Sequence, residues 1–568
     1  MSKLISTVKS QIREAILSSM GRAAANGDLP LAPAADFIIE TANDPSHGDF
    51  ASNAAMVNAK AFRLPPRKIA EIICENLILD GTYIDRAEVA GPGFLNFFAS
   101  QKLFSGIVSE IETEKEQYGK SSYGKGKRVM VEFVSANPTG PMHMGNARGG
   151  AIGDCLASVL SAAGYYVERE FYVNDAGNQI DKFALSLDVR YRQIYLGEDA
   201  VQLPEDAYHG GDIADRAAEF AEINGDSYID KPEEERRAAL VAFALPRNIE
   251  RMKTDLEKYR ITYDTWFLES TLHQSGEVAA VVDLLTEKGL TYESEGAVWY
   301  KATEFGGEKD EVLIRANGNP TYFLADIAYH TNKFKTRGFD ICIDVWGADH
   351  HGHIARLKGA LDAVGLDGSK LDIVLIQLVK LVRDGEIVRM SKRTGKAIQL
   401  VDLLDEVPVD AARFFFNMRE STSQMDFDLD LAVSEDSQNP VYYCQYAYAR
   451  ICSIFRKAEE RGIIFTPAND ARLGLLTHPA ELELIRYLAQ FTEEIVSAAR
   501  EYNPSRITRY AIELAAQFHR FYGKCRVIDD SAELTSARLT LCDAARTVMK
   551  NALTILKISA PERMEVLI

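Results

Sequence analysis

Cysteine is scarce in this chain: seven in 568 residues, an odd number, with no Cys-x-x-Cys pair. That excludes a zinc ribbon and fits reduced thiols in a cytoplasm. No stretch has the apolar length needed to cross a membrane as a helix. The segment from Met1 to Met20 sets Leu4, Ile5, Val8, Ile12 and Ile16 among charges at helical spacing. This is an amphipathic helix, not the apolar core of a signal peptide. Internal repeats and low-complexity tracts are missing as well. No cysteine or serine has a convincing base partner, so nothing points to a side-chain nucleophile. The length is a prior for three or four domains, and the composition is ordinary for a globular protein.

Positive charge is also in short supply. The net charge is −19, which argues at first against a nucleic-acid partner. Its distribution is uneven. Ser437 to Ile568 carries 17 Lys+Arg against 15 Asp+Glu, or +2, and the remainder carries 47 against 68, or −21. The C-terminal quarter is therefore locally Arg-rich. An RNA partner would have to use such local surfaces, in a salt-sensitive way.

What is present is one informative stretch, Val129 to Gly164. Val129–Val134 is an apolar, β-branched run and reads as a buried strand. Ile152, Leu156, Val159, Leu160 and Ala163 recur at helical spacing and stop at Gly164. Between them, Asn137-Pro138-Thr139-Gly140-Pro141-Met142-His143-Met144-Gly145-Asn146 holds too much Pro and Gly to be regular. Strand, small-residue loop and helix together place a phosphate at a helix N-terminus, where unpaired N–H groups and the dipole favour negative charge. The bland alternative is an ordinary strand-to-helix turn.

The wording of the stretch separates the two. Glu132-Phe133, Ser135-Ala136-Asn137-Pro138-Thr139-Gly140-Pro141 and His143-Met144-Gly145-Asn146-Ala147-Arg148-Gly149 resemble the ATP-binding motif of class I aminoacyl-tRNA synthetases, and most closely its arginyl form. One departure stands out. The family motif usually ends in a second His, and here that place is Asn146, which can donate to a phosphate oxygen but never become cationic. A second loop, Gly385 to Lys396, contains Met390-Ser391-Lys392-Arg393. It resembles the mobile lysine loop of the same class, with Lys392 at the second Lys and Arg389 in place of the first. A cation aimed at the α-phosphate is what this chemistry requires, and Arg389 would hold a phosphate in a different, bidentate geometry.

The resemblance implies further roles. Pro138, Gly140, His143, Gly145 and Asn146 would hold ATP together with Met390, Ser391 and Lys392, with His143, Asn146, Arg389 and Lys392 as the catalytic set. Trp346-Gly347-Ala348-Asp349-His350-His351-Gly352-His353 follows a predicted strand. Its histidines invite a metal-site reading. The family has a similar stretch closing over adenosine, so Gly347, Asp349 and His350 are expected at ATP and no protein metal site is expected. Specific binding of a guanidinium needs fixed carboxylates. Pro320 to His330 resembles the family's arginine-pocket segment, which implies Tyr322 and Asp326 around the substrate with Glu132, while Ser135 and Asn137 hold its backbone. Ser46–Asn53 and Gly91–Phe97 resemble the family's N-terminal domain, which contacts the tRNA elbow. Phe94 and Asn96 are thereby candidates for a looped-out base; the alternative puts Phe94 in the core and Asn96 in a turn.

The expected architecture is a multidomain α/β chain. Residues 1–115 form a small α+β domain, and Gln117–Lys127 reads as a flexible basic linker. Residues 125–405 form a Rossmann-like parallel-sheet catalytic domain with a helical insertion at about 183–255, and Ala297–Tyr300 and Val312–Arg315 join its strands. Residues 406–436 connect, and 437–568 form an all-α bundle that resembles the family's anticodon-binding domain. The function this implies is ligation of L-arginine to tRNA(Arg) through arginyl-adenylate, with ATP and Mg²⁺, by a cytoplasmic monomer with no membrane partner. The alternative is a non-catalytic tRNA-binding paralogue, suggested only by Asn146 and Arg389.

Overall fold

A computed structural model describes residues 2–42, 44–389 and 397–564. The opening helix, Lys3–Asn26, buries Ile5, Val8, Ile12 and Ile16 along one stripe, as its spacing dictates. Ser2 Oγ accepts the Ile5 N–H at its start, and Gly27 closes it in a left-handed conformation. Beside it lies a four-stranded antiparallel sheet in the order Ile39–Thr41, Phe50–Ser52, Phe94–Ala99, Ile84–Ala90.

The segment Gln117–Lys127 is not a flexible linker. Tyr118 is fully buried, its ring beside Phe491 and its hydroxyl donating to Leu488 O at 3.1 Å. Ser121, Gly124 and Gly126 donate their N–H groups to Ala162, Ala163 and Gly164. Gly, Ser and Lys are the residues of loose linkers, but here glycine permits close packing. A Cβ on Gly119 would meet Phe491 at 2.5 Å.

The middle of the chain is built on five parallel strands: β1 Arg128–Glu132, β2 Tyr166–Val173, β3 Thr265–Leu268, β4 Ile341–Gly347 and β5 Leu371–Ile376. They lie in the order β5-β4-β1-β2-β3. The winding reverses between β1 and β4, so a crevice opens at their carboxyl ends. β1 is buried along Val129–Glu132, which is why its sequence is an unbroken apolar run before the acid. Ala297–Tyr300 and Glu311–Ile314 do not join this sheet. With Thr291–Ser294 they form a separate antiparallel one, because short hairpin connections favour antiparallel pairing.

The insertion comprises helices Asn178–Leu196, Gly211–Asn224 and Glu233–Lys258 around their own core of Phe183, Tyr191, Phe220 and Leu240. The C-terminal helices Pro440–Glu460, Pro479–Ala489, Phe491–Arg500, Ser505–Lys524 and Ala532–Ile555 form the bundle. Bundle and catalytic domain meet at Asp154, fully buried on the helix Gly145–Ala162. Its carboxylate accepts from Arg413 at 2.6 Å, Lys557 at 2.7 Å and Arg169 at 2.8 Å. Burial opposes ionisation there, but the three cations prevail and hold the Asp154 carboxyl below its ordinary value. Among the described residues, no helix is long and apolar enough to cross a membrane.

Candidate active site

The crevice begins with strain. Val134 has φ 70° and Ser135 φ 43°, a left-handed pair that turns the chain sharply after β1. For a β-branched residue this is an outlier, sustained only by surrounding contacts. Ser135 supplies them: its hydroxyl donates to Glu132 Oε1 at 3.0 Å and accepts the Tyr172 N–H at 3.1 Å. Asn137 is then exposed, and the Pro138 carbonyl accepts from Asn248 Nδ2 of the insertion at 2.9 Å. Gly140 lies against Asp212 of the insertion; a Cβ there would meet its Oδ2 at 3.2 Å.

His143 is exposed just before the helix Gly145–Ala162. Its Nδ1 accepts the Gly145 N–H at 3.0 Å. That bond assigns the ring proton to Nε2, leaving Nε2–H as a donor. Asn146 stands beside it in the first turn, half-buried. Across the crevice β4 ends at Gly347, and Asp349 and His350 stand exposed with 3.8 Å between Asp349 Oδ2 and His350 Nε2. Among the described residues, the group of His and acids close enough together to hold a metal ion is Glu132, His330 and Asp344, away from this turn.

Arg389 is exposed at the end of a hairpin, Val379–Arg383 with Glu386–Val388. Met390, Ser391 and Lys392 lie outside the described residues. The chain returns against the His143 loop: Met144 donates its N–H to Ile398 O and Leu400 to Met142 O, both at 2.9 Å. The chain that follows the lysine segment is therefore tied, at Ile398 and Leu400, to the candidate phosphate loop.

Beside this loop lies an acidic pocket centred on Tyr172. Its hydroxyl donates to Glu269 Oε2 at 2.8 Å. Burial, then the charges of Glu269, Asp326 and Glu132, push the Tyr172 hydroxyl far up, so it stays protonated. Asp326 accepts from His353 Nε2 at 2.8 Å with about a third of its side chain (34%) exposed. Tyr322 is exposed one helical turn before it. Glu269 escaped the sequence reading. It is 4% exposed, and burial pushes its carboxyl up against the hydrogen bonds from Tyr172 and His273. Its only sequence signal is its place at the carboxyl end of a parallel strand.

Glu132 is less open than the reading implied. In strand register it stands between Asp344 of β4 and Glu170 of β2, a row of three carboxylates. The π-helical segment Asn332–Thr336 and the residue after it cover the row with two cations. Lys333 Nζ donates to Glu132 Oε2 at 2.6 Å and to Asp344 Oδ1 at 2.9 Å, while Arg337 pairs with Glu170. Burial opposes ionisation of Asp344, but Lys333 and His330 hold it down at about 2. Glu132 is pushed up by burial, against the pull of Lys333. Glu132, His330 and Asp344 are close enough to grip a metal ion, but Lys333 Nζ already supplies the cation.

In the N-terminal domain Asn96 is 7% exposed and Phe94 half-buried. On the bundle, Tyr442 and Tyr446 stack at 8° and Arg450 lies 4.6 Å from the Tyr446 ring centre. Tyr522 and Arg450 line the same open groove.

Residues 107–435 match the family described as tRNA synthetases class I (R), catalytic domain. Residues 6–99 match the arginyl tRNA synthetase N terminal domain, and 444–564 the DALR anticodon binding domain. An arginine–tRNA ligase from Ruminiclostridium cellulolyticum is 54% identical, covering 99% of this chain and 100% of its own. The chain belongs to the arginine–tRNA ligase family. A second arginine–tRNA ligase, from Caldanaerobacter subterraneus subsp. tengcongensis, is 55% identical over the same shares. The arginyl-tRNA synthetase structure from Thermus thermophilus shares the fold, with TM-score 0.72 at 23% identity, covering 97% of this chain and 100% of that one. The family likeness thus runs through all three regions, and the crevice between β1 and β4 lies within the stretch that matches the class I catalytic domain.

Proposed function

We propose that the chain joins L-arginine to tRNA(Arg) in two steps. A carboxylate oxygen of arginine attacks the α-phosphorus of ATP; the bond to pyrophosphate breaks, leaving arginyl-adenylate. A terminal ribose hydroxyl of tRNA then attacks the activated carbonyl, and AMP leaves. The observation that carries this reading is one crevice holding both a phosphate loop, with the His143 Nε2–H directed by the Gly145 bond, and a pocket of carboxylates around Tyr172.

The adenosine side falls to Gly347, Asp349 and His350, and the phosphates to Pro138, Gly140, His143, Gly145, Asn146 and the lysine segment with Arg389, Met390, Ser391 and Lys392. These groups act by position and charge. Glu132 is already balanced by Lys333, so the guanidinium has Asp326 and Glu269 to pair with, and Tyr322 to pack on. Ser135 and Asn137 then face the reacting end of the amino acid. Magnesium enters on the phosphates of ATP, as such ions commonly do. The Glu132–His330–Asp344 cluster does not fit it, because a lysine fills the place.

For tRNA, the stacked Tyr442 and Tyr446 with Arg450 suit bases of a single-stranded loop. Of the elbow pair, Phe94 is open enough to meet a base, and Asn96 lies beneath the surface. The described residues of the crevice come from one chain, in keeping with a monomer, and the reaction belongs to the cytoplasm.

The test is a charging assay with ATP, magnesium, tRNA and radiolabelled amino acids. Arginine on the tRNA is expected. Another amino acid, or none, overturns the reading, the latter in favour of a non-catalytic tRNA-binding relative.

A further inference from the structure

Lys333 is a large charged side chain with no solvent exposure, placed in a π-helical turn. Such turns recur at functional sites because they cost helical hydrogen bonding and persist for a reason. Its ammonium lies 4.1 Å from the Tyr329 ring centre and donates to two carboxylates that face each other from β1 and β4. The strands are the two that flank the crevice. From Glu132 the chain of contacts continues outward: Ser135 Oγ donates to Glu132, accepts from the Tyr172 backbone, and sits in the strained turn that opens the phosphate loop.

We infer that Lys333 is a positioning residue for amino-acid activation, a buried counter-ion that holds Glu132 as the acceptor on which Ser135 and the loop from Val134 to His143 are aligned. The inference rests on the proposed activation of arginine at this crevice. Lys333 touches neither substrate nor nucleotide in that scheme; it acts through Glu132 and Ser135.

The physical reason is charge arithmetic in a dry place. Without Lys333, Glu132 and Asp344 would confront each other across one strand pair, with Glu170 next in the row. Glu132 also faces His330 and Tyr329 from the helix Tyr322–Thr331, Tyr172 from β2, and Tyr263, while Cys342 of β4 faces Lys333 and Asp344. None of these replaces the lost charge. His330 is held between Asp344 Oδ2 at 2.6 Å and the Asp326 carbonyl at 2.8 Å, and Arg337 is committed to Glu170. Like charges in one site force one acid to take a proton. Asp344 keeps His330 as a partner, so Glu132 is the acid that protonates. It then ceases to be a pure acceptor for Ser135, and the loop loses its alignment.

The experiment measures arginine-dependent ATP–pyrophosphate exchange with tRNA present, across pH 6–9, for the full chain and its variants. Lys333→Met is expected to lower kcat at pH 7 by about 100-fold, the scale of a small misplacement at a reacting centre. It should also gain a rise with pH that the parent lacks, as Glu132 ionises. Adding Asp344→Asn removes the competing charge and should move that rise down by about one to three pH units. If Lys333→Met alone does not fold, the double variant, which removes one charge of each sign, carries the test through its own pH profile. A loss equal at every pH and untouched by Asp344→Asn would assign Lys333 to structure alone and overturn the inference. Parent-like exchange by Lys333→Met would overturn it too, as would a parent-like Glu132→Gln. Failure of the underlying reading looks different: the unsubstituted protein would show no arginine-dependent exchange at all.

Discussion

The Tyr172 hydroxyl donates to Glu269 Oε2 at 2.8 Å, a side-chain link added to the ladder that pairs the ends of β2 and β3. It also directs a carboxylate into the pocket that holds Asp326. Two acids fixed by their neighbours can distinguish a planar, bidentate guanidinium from the point charge of lysine.

Glu269→Gln keeps the shape and removes the charge. The arginine KM should rise about tenfold to a hundredfold, the range for a hydrogen bond to a charged group, with the fold retained. Asp326→Ala should go further and abolish use of arginine, with little loss of fold by circular dichroism. Steady-state charging kinetics decide both. An arginine KM unchanged in Asp326→Ala would refute the pocket.

His143 and Asn146 should act on the rate of activation more than on arginine binding. His143→Ala removes the Nε2 donor that the Gly145 N–H directs. A fall in kcat of about 100-fold is expected, comparable to losing one donor to a developing negative charge. Asn146→His, which restores the residue usual in the family motif, should change the activation rate while leaving the arginine KM nearly fixed. Equal changes in both quantities would show that Asn146 is not a phosphate contact.

Asp154 and Arg413 are both fully buried, one on the helix Gly145–Ala162 and the other on the connecting helix Val409–Phe416. Arg413→Met leaves a buried carboxylate with one partner fewer. Stability should fall by about 3–5 kcal/mol, read from denaturant unfolding followed by tryptophan fluorescence. A loss within error of zero would mean that Lys557 and Arg169 suffice for Asp154.

Burial, reinforced by Arg450, holds the His519 imidazole down at about 4 against an ordinary value near 6.5. The unfolded chain therefore binds the proton first. This group's contribution to stability is complete above pH about 6.5 and is lost as pH falls towards 4. Thermal melts of the parent should decline through that window, and His519→Asn should flatten the decline. Identical slopes in the two proteins would exclude His519 as the cause.

The strand, loop and helix around the proposed phosphate site were legible because their information is local. Strand, Pro/Gly loop and helix follow one another from Val129 to Gly164, and His143, Gly145 and Asn146 occupy the helix start that the order of residues dictates. The insertion and the bundle were legible for a similar reason, since apolar periodicity belongs to each helix separately. The linker was misread because the same Gly and Lys residues serve either an open chain or a close-packed one, and partners such as Leu488 and Phe491, more than 300 residues away, decide which.

By itself, then, the sequence determined the family and the multidomain α/β class, and it offered Glu132 and Asp326 as acids for a guanidinium. Tertiary structure alone decided which acids are available. Strand register sets Asp344, Glu132 and Glu170 in a row, and the π turn brings Lys333 to two of them. Glu132 is balanced as a result, and Glu269, carried in by β3, stands beside Tyr172 and Asp326. Charge acts through space across strands far apart in the chain, so no local pattern of residues could have specified which acid is neutralised.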